Sequence, residues 1–160
     1  AVLVQDTFES TQLRLNFPVT HLVHPDTPAL DVLFTVLGDG KTARLTQKLV
    51  DDLQIASNVG AANYTPEQAG MGMFDAMVIP GNELEVLREM LTTIYRTAYE
   101  PVTTAELARA KLSLESEFVF QKQDYNGIAK RLDYFHVLGG SVKEEPVSYK
   151  HLTLPTTPHV

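Results

Sequence analysis

Two hydrophobic periods succeed each other along this chain, in an order that few folds accommodate. From Thr11 to Val19 the residues alternate, with Leu13, Leu15, Phe17 and Val19 on one side and Gln12, Arg14 and Asn16 on the other. That is the period of a strand with one buried face. Asp26-Thr27-Pro28 then reads as a helix start. Thr27 can cap, and Pro28 suits the first helical position because its missing N–H is not needed there. Leu30, Leu33, Phe34 and Leu37 form the apolar stripe of that helix, which stops at the tight break Gly38-Asp39-Gly40. A second helix is expected from about Thr42 to Asp52, carrying Leu45, Leu49 and Leu53 on one side.

Residues from about Ile55 to Tyr64 and from about Met71 to Ile79 read as strands, connected through Pro66 and Gly70. So short a connection makes them an antiparallel hairpin. Gly60, Ala61, Ala62, Gly70 and Gly72 are small, which predicts something packed closely against these strands. Pro80-Gly81-Asn82 ends the hairpin, and Leu84, Leu87, Leu91, Ile94 and Ala98 predict an amphipathic helix buried along that stripe. Thr103 and Glu106 have the spacing of a capping box, with Val102 and Leu107 as its hydrophobic staple. Leu107, Ala110, Leu114 and Phe118 form the stripe of the helix that follows. A last helix is expected from about Tyr125 to Leu138, stopping at Gly139-Gly140.

The predicted order is therefore βααββααα. Strands and helices do not alternate strictly, which rules out a doubly wound parallel sheet. The expected fold is α+β: a two-layer sandwich in which an antiparallel or mixed sheet has helices packed on one face. Residues 1–146 read as one domain. The last fourteen, V-S-Y-K-H-L-T-L-P-T-T-P-H-V, have no usable period, and 147–160 reads as a non-native or disordered tail. Its composition resembles the translated read-through of a sequencing adapter, with a natural Pro/Thr tail as the alternative.

Composition excludes several classes of function. Hydrophobic residues make up 44% of the 160, enough for a core. With 13 Lys and Arg scattered among 20 Asp and Glu, the net charge is −7 and no basic patch exists to track phosphates, so no nucleic-acid partner is expected. The absence of Cys removes disulfides, thiolate-bound zinc and a cysteine nucleophile. No apolar run reaches the ~20 residues of a membrane-spanning helix. Ala1 to Ser10 show no signal-peptide pattern, and a chain that opens on Ala is expected to be processed, trimmed or a fragment.

The candidate motifs are weak. Gly40-Lys41-Thr42 resembles the end of a phosphate-binding loop, but the position five residues before Gly40 is Thr35, within an apolar helix where the motif demands Gly and a strand. His21 and His24, with Asp26 nearby, have a spacing that metals use. They fall between a strand end and Pro25, where a surface loop is the better reading. Glu115 and Glu117 point about 200° apart on a helix, so they cannot share a site with each other, whatever Glu106 does upstream. Tyr125, Tyr134, Phe135 and His136 read as packing or interface residues. No G-x-S-x-G elbow is present. No catalytic and no metal-binding residue is assigned.

Longer runs carry more. Residues 24–50 (H-P-D-T-P-A-L-D-V-L-F-T-V-L-G-D-G-K-T-A-R-L-T-Q-K-L-V), 55–61 (I-A-S-N-V-G-A) and 100–111 (E-P-V-T-T-A-E-L-A-R-A-K) resemble the pitrilysin/insulinase group of zinc metallopeptidases. The resemblance covers about residues 8–146. Its most specific part is the turn from Leu37 to Leu45, in which Gly38, Gly40 and Arg44 are the structural residues. The group's zinc motif, H-x-x-E-H, lies in the first subdomain of a catalytic half. This sequence contains no such motif and resembles the second, metal-free subdomain. The resemblance implies a fragment of a zinc endopeptidase that supplies scaffold and substrate-chamber wall, inactive by itself. Zinc is then expected elsewhere in the parent protein, with the other subdomains and a peptide substrate as partners. A non-catalytic core or partner subunit of the same fold, working in assembly, is the alternative. In the non-catalytic half, an Arg and a Tyr are expected at the positions of Val50 and Ser57. Their absence favours the catalytic half. The compartment stays open, with the bacterial periplasm preferred to the cytoplasm.

Overall fold

The computed structural model describes residues 11–121, together with 128, 129, 132, 133 and 136. Three strands form an antiparallel sheet: β1 (Thr11–Val19), β2 (Ala56–Tyr64) and β3 (Gly70–Val78), in the spatial order β1-β3-β2. β1 therefore pairs with the far strand of the hairpin, with Thr11 opposite Val78 and Val19 opposite Gly70. The period-2 pattern decides which face is buried. Gly72, Phe74, Ala76 and Val78 of β3 turn inward, as do Ala56 and Val59 of β2. Leu13, Leu15, Phe17 and Val19 of β1 join them.

The helices lie on that inner face: α1 (Thr27–Gly38), α2 (Arg44–Thr46), α3 (Glu83–Arg96) and α4 (Thr104–Gln121). This is the expected α+β two-layer arrangement. Phe74 is its centre. The Phe34 ring stacks on Phe74 at 4.8 Å, and Phe17 meets it edge-on at 5.9 Å. Leu37, Leu45, Leu49, Val86 and Met90 are fully buried around it. Burying each of these side chains contributes ~1.5–3 kcal/mol to folding.

Several expectations need correcting. Thr27 does not cap α1. It is buried, and its hydroxyl donates to the His21 carbonyl at 2.8 Å and lies 3.0 Å from the Thr20 hydroxyl, tying the β1–α1 loop together. The second helix is not uniform either. α2 begins at Arg44 and runs into a π-helical turn, Gln47–Asp52, where the Leu53 N–H reaches the Lys48 carbonyl. Gln54 then adopts a left-handed φ of 53° to bring the chain into β2. Ser57 is the extra residue of a bulge between Ala56 and Asn58.

The stripe expected to bury α3 holds at Ile94, which packs against the core, and is corrected at its ends. Val86 and Met90 are the buried residues, whereas Leu84 is 82% exposed and Ala98 lies exposed beyond the helix end. α4 docks through Ala110, with Leu107 and Leu114 half-buried beside it. The last expected helix lies largely outside the described residues. Those of it that are described, Ile128, Ala129, Leu132, Asp133 and His136, are helical and exposed. The expected tail, 147–160, lies wholly outside them, as do Tyr125, Tyr134 and Phe135.

Candidate functional site

The turn from Leu37 to Leu45 is where the three singled-out residues meet the rest of the fold. Gly38 ends α1 against the backbone of β2. A Cβ placed on it would fall on the Ala61 side chain and stand 2.5 Å from the Ala61 backbone nitrogen. Gly40 has open space around it but a φ of 79°, which a side chain resists. One glycine thus answers a close approach and the other a backbone conformation. The Asp39 N–H closes the end of α1 onto the Thr35 carbonyl, and the Ala43 N–H bonds to the Gly40 carbonyl to start the next turn.

Arg44 leaves this turn toward α4. Its Nε and Nη2 donate to the two Glu106 carboxylate oxygens at 2.6 and 2.9 Å, a bidentate fork, and Nη2 also reaches the Pro101 carbonyl at 3.4 Å. Both side chains are mostly buried, at 19% and 17% exposure. The capping box forms as expected: the Thr103 N–H donates to Glu106 Oε2 at 2.8 Å, and the Glu106 N–H to the Thr103 hydroxyl at 3.3 Å. Glu106 therefore serves the cap and the ion pair at once. The Arg44 guanidinium, helped by the Thr103 N–H and hydroxyl, pulls the Glu106 carboxyl down to about 2, and the same pairing raises Arg44. The capping box was legible in the sequence. Its partner Arg44, 62 residues away, had no local signal.

Between the turn and α4 lies a cleft of about 210 Å³, lined by Thr35, Asp39, Thr42, Arg109 and Ser113 among others. The Ser113 hydroxyl donates to Asp39 at 3.0 Å, and among the described residues lining the cleft there is no His to act as a base. Lys41 and Thr42 follow a helix and precede another, so the phosphate-loop reading has no strand to stand on.

The His pair is similarly bland. The His21 and His24 rings meet edge to face at 5.6 Å, and His24 Nδ1 accepts from the Asp26 N–H. Among the described residues, no three His, Cys, Asp or Glu side chains gather as a metal would require, so these residues do not fit a zinc site. Glu106 is committed to Arg44, and Glu115 and Glu117 sit at different exposures on α4. Val50 packs half-buried against the core, and Ser57 lies exposed at the bulge with its hydroxyl 3.4 Å from the Met77 carbonyl. Sequence reasoning also missed a part-buried polar contact. Asp31 of α1 accepts from Asn63 of β2 at 2.7 Å, and burial raises its carboxyl, with Glu117 adding to the rise.

Over residues 1–114 the chain is matched by a family model described as the peptidase M16 inactive domain. The chain belongs to that family. It is 27% identical over 130 residues to the zinc protease PqqE of Helicobacter pylori, covering 81% of this chain and 29% of the relative. Its fold is that of a protease structure from Helicobacter pylori, with a TM-score of 0.85 at 22% identity over 94% of this chain and 37% of that one. The inactive peptidase domain of a zinc protease from Bordetella parapertussis is also similar. Its TM-score is 0.81 at 20% identity, over 94% of this chain and 82% of that one. The chain thus spans less than a third of the curated relative and most of a separately solved inactive domain. The resemblance read from the sequence, and the α+β fold expected from the order of its elements, both hold.

Proposed function

We propose that this chain is the metal-free wall and scaffold domain of a zinc-dependent endopeptidase, belonging to its catalytic half. One observation carries the reading. A domain of the M16 inactive type contains no H-x-x-E-H in its 160 residues, and its best-built polar site, Arg44 with Glu106 and Thr103, is committed to holding two helices together. Zinc, its ligands and the general base then belong to another domain of the parent protein, where the metal would supply Lewis-acid chemistry for peptide hydrolysis. This domain contributes surface and rigidity. A peptide would lie extended along a sheet edge beside that zinc, using main-chain hydrogen bonds for affinity. Val50 and Ser57, where the other half would carry Arg and Tyr, support the assignment to the catalytic half. The test is the full-length gene. The parent should contain an H-x-x-E-H, and replacing its glutamate by glutamine should abolish peptide cleavage while leaving this domain folded. A parent without the motif would favour the assembly subunit instead, and undiminished cleavage by that variant would refute the proposed chemistry.

A further inference from the structure

The amide of Asn63, on β2, is only half satisfied. Its Nδ2 donates to Asp31 Oδ1 of α1 at 2.7 Å, while its own Oδ1 is buried and accepts from nothing. Among the described residues, one other buried side-chain polar atom, His21 Nδ1, lacks a partner. A buried acceptor left unpaired is costly, and native folds keep few of them. Turning the amide over gives no relief. It would set two acceptors against each other at 2.7 Å and orphan the amide N–H groups instead. A carboxylic acid, in contrast, matches a primary amide in two places. The amide N–H donates to the acid carbonyl, and the acid O–H donates to the amide carbonyl. The first of these bonds is formed here, and the acceptor of the second is buried and unused.

We propose that Asp31 is a carboxylic acid in the folded protein and donates its proton to Asn63 Oδ1, making a pH-sensitive clasp between α1 and β2. On ionisation the proton leaves to solvent, Asn63 keeps one bond, and its Oδ1 is orphaned. The surroundings favour the acid. Burial pushes the Asp31 carboxyl above its ordinary range, against the pull of the Asn63 N–H, and Glu117 of α4 adds to the rise. The elements packed against α1 are β2, α2 and α4. β2 has one titratable group, Tyr64, which is exposed, and Arg44 of α2 is forked onto Glu106 of α4. Of the remaining charges on α4, Arg109, Lys111, Glu115 and Glu117, it is Glu117 that acts on Asp31. Because the folded carboxyl is raised, the clasp contributes fully below the ordinary value of 3.8, and its contribution is lost as pH rises through the raised one. The domain therefore tightens in acid where α1, β2 and α4 meet, independently of zinc and of the peptidase reading.

Carbon-13 NMR of the chain, labelled at its Asp and Asn side-chain carbons, tests this. The Asp31 signal is the one missing from Asp31→Asn. It should titrate above 3.8, and the Asn63 carbonyl should shift with the same midpoint. Two variants separate the proton's bond from mere loss of charge. Asp31→Asn sets an amide against the Asn63 amide and keeps both bonds at any pH, whereas Asp31→Leu removes the charge and both bonds. At pH 7, hydrogen exchange along α1 should be slower in Asp31→Asn than in the unaltered chain, by up to about tenfold for each unit of raise. It should be faster in Asp31→Leu than in Asp31→Asn. An Asp31 midpoint at or below 3.8 would overturn the proposal, because no proton would be held. So would exchange in Asp31→Leu as slow as in Asp31→Asn, because neutralisation alone would then account for the gain. The titration is read on the unaltered chain, so it decides the matter even if Asp31→Leu fails to fold.

Discussion

Gly38 and Gly40 lie two residues apart and are glycines for unlike reasons, and substitution should separate them. At Gly40 only the backbone conformation resists a side chain, so Gly40→Ala should cost about 1 kcal/mol. At Gly38 the added methyl meets the β2 backbone, so Gly38→Ala must shift α1 and should cost more, about 1–3 kcal/mol. Chemical denaturation of the two variants gives the order. In the parent, turnover should fall only as far as stability does. Loss of turnover with an unchanged melting temperature would mean that the turn touches substrate. Asp31 makes a second prediction at this scale. Its folded carboxyl is raised, chiefly by burial, so at neutral pH its charge opposes folding, and stability is regained as pH falls through the raised value. Asp31→Asn keeps an acceptor for Asn63 without the charge. Its melting temperature should exceed that of the unaltered chain at pH 7, and the two should converge in acid.

Among the elements, α4 is held by its capping box and by the Arg44–Glu106 fork. Glu106 is depressed in the folded state, chiefly by the Arg44 guanidinium, so its contribution is complete above the ordinary carboxylate value of 4.5 and is lost as pH falls toward about 2. Stability measured from pH 5 to pH 2 should therefore fall more steeply for the unaltered chain than for Glu106→Gln. Equal slopes would show that the fork contributes nothing. Arg44→Lys removes the bidentate geometry and should flatten the same slope. Thr103→Ala should cost about 1 kcal/mol from the cap alone. The elements also show what periodicity can and cannot reveal. β1 was legible to the residue because its alternation has a single solution, and the capping box because its partners are three residues apart. α3 was legible as a helix, but not which side it buries. It carries apolar residues on two sides, and only the sheet decides that Val86 and Met90 turn in while Leu84 stays out. The π-helical turn and the left-handed Gln54 lie where the chain passes from α2 into β2 while both Leu49 and Ile55 enter the core, information that no local window holds.

At the scale of the molecule, function was legible only through what is missing and what is resembled. Arg44 of the turn joins it to α4, and among the described residues those that could have held a metal are scattered. Arg44 was singled out from the turn, yet its role depends on a glutamate 62 positions later, a distance that only folding closes. The central claim is that this domain has fold and surface but no metal chemistry. Zinc retained per chain after gel filtration tests it most directly, measured by elemental analysis on the isolated 160-residue chain and on the full-length parent. The parent should retain zinc stoichiometrically, and the isolated chain should emerge with none. Stoichiometric zinc on the isolated chain would contradict the account.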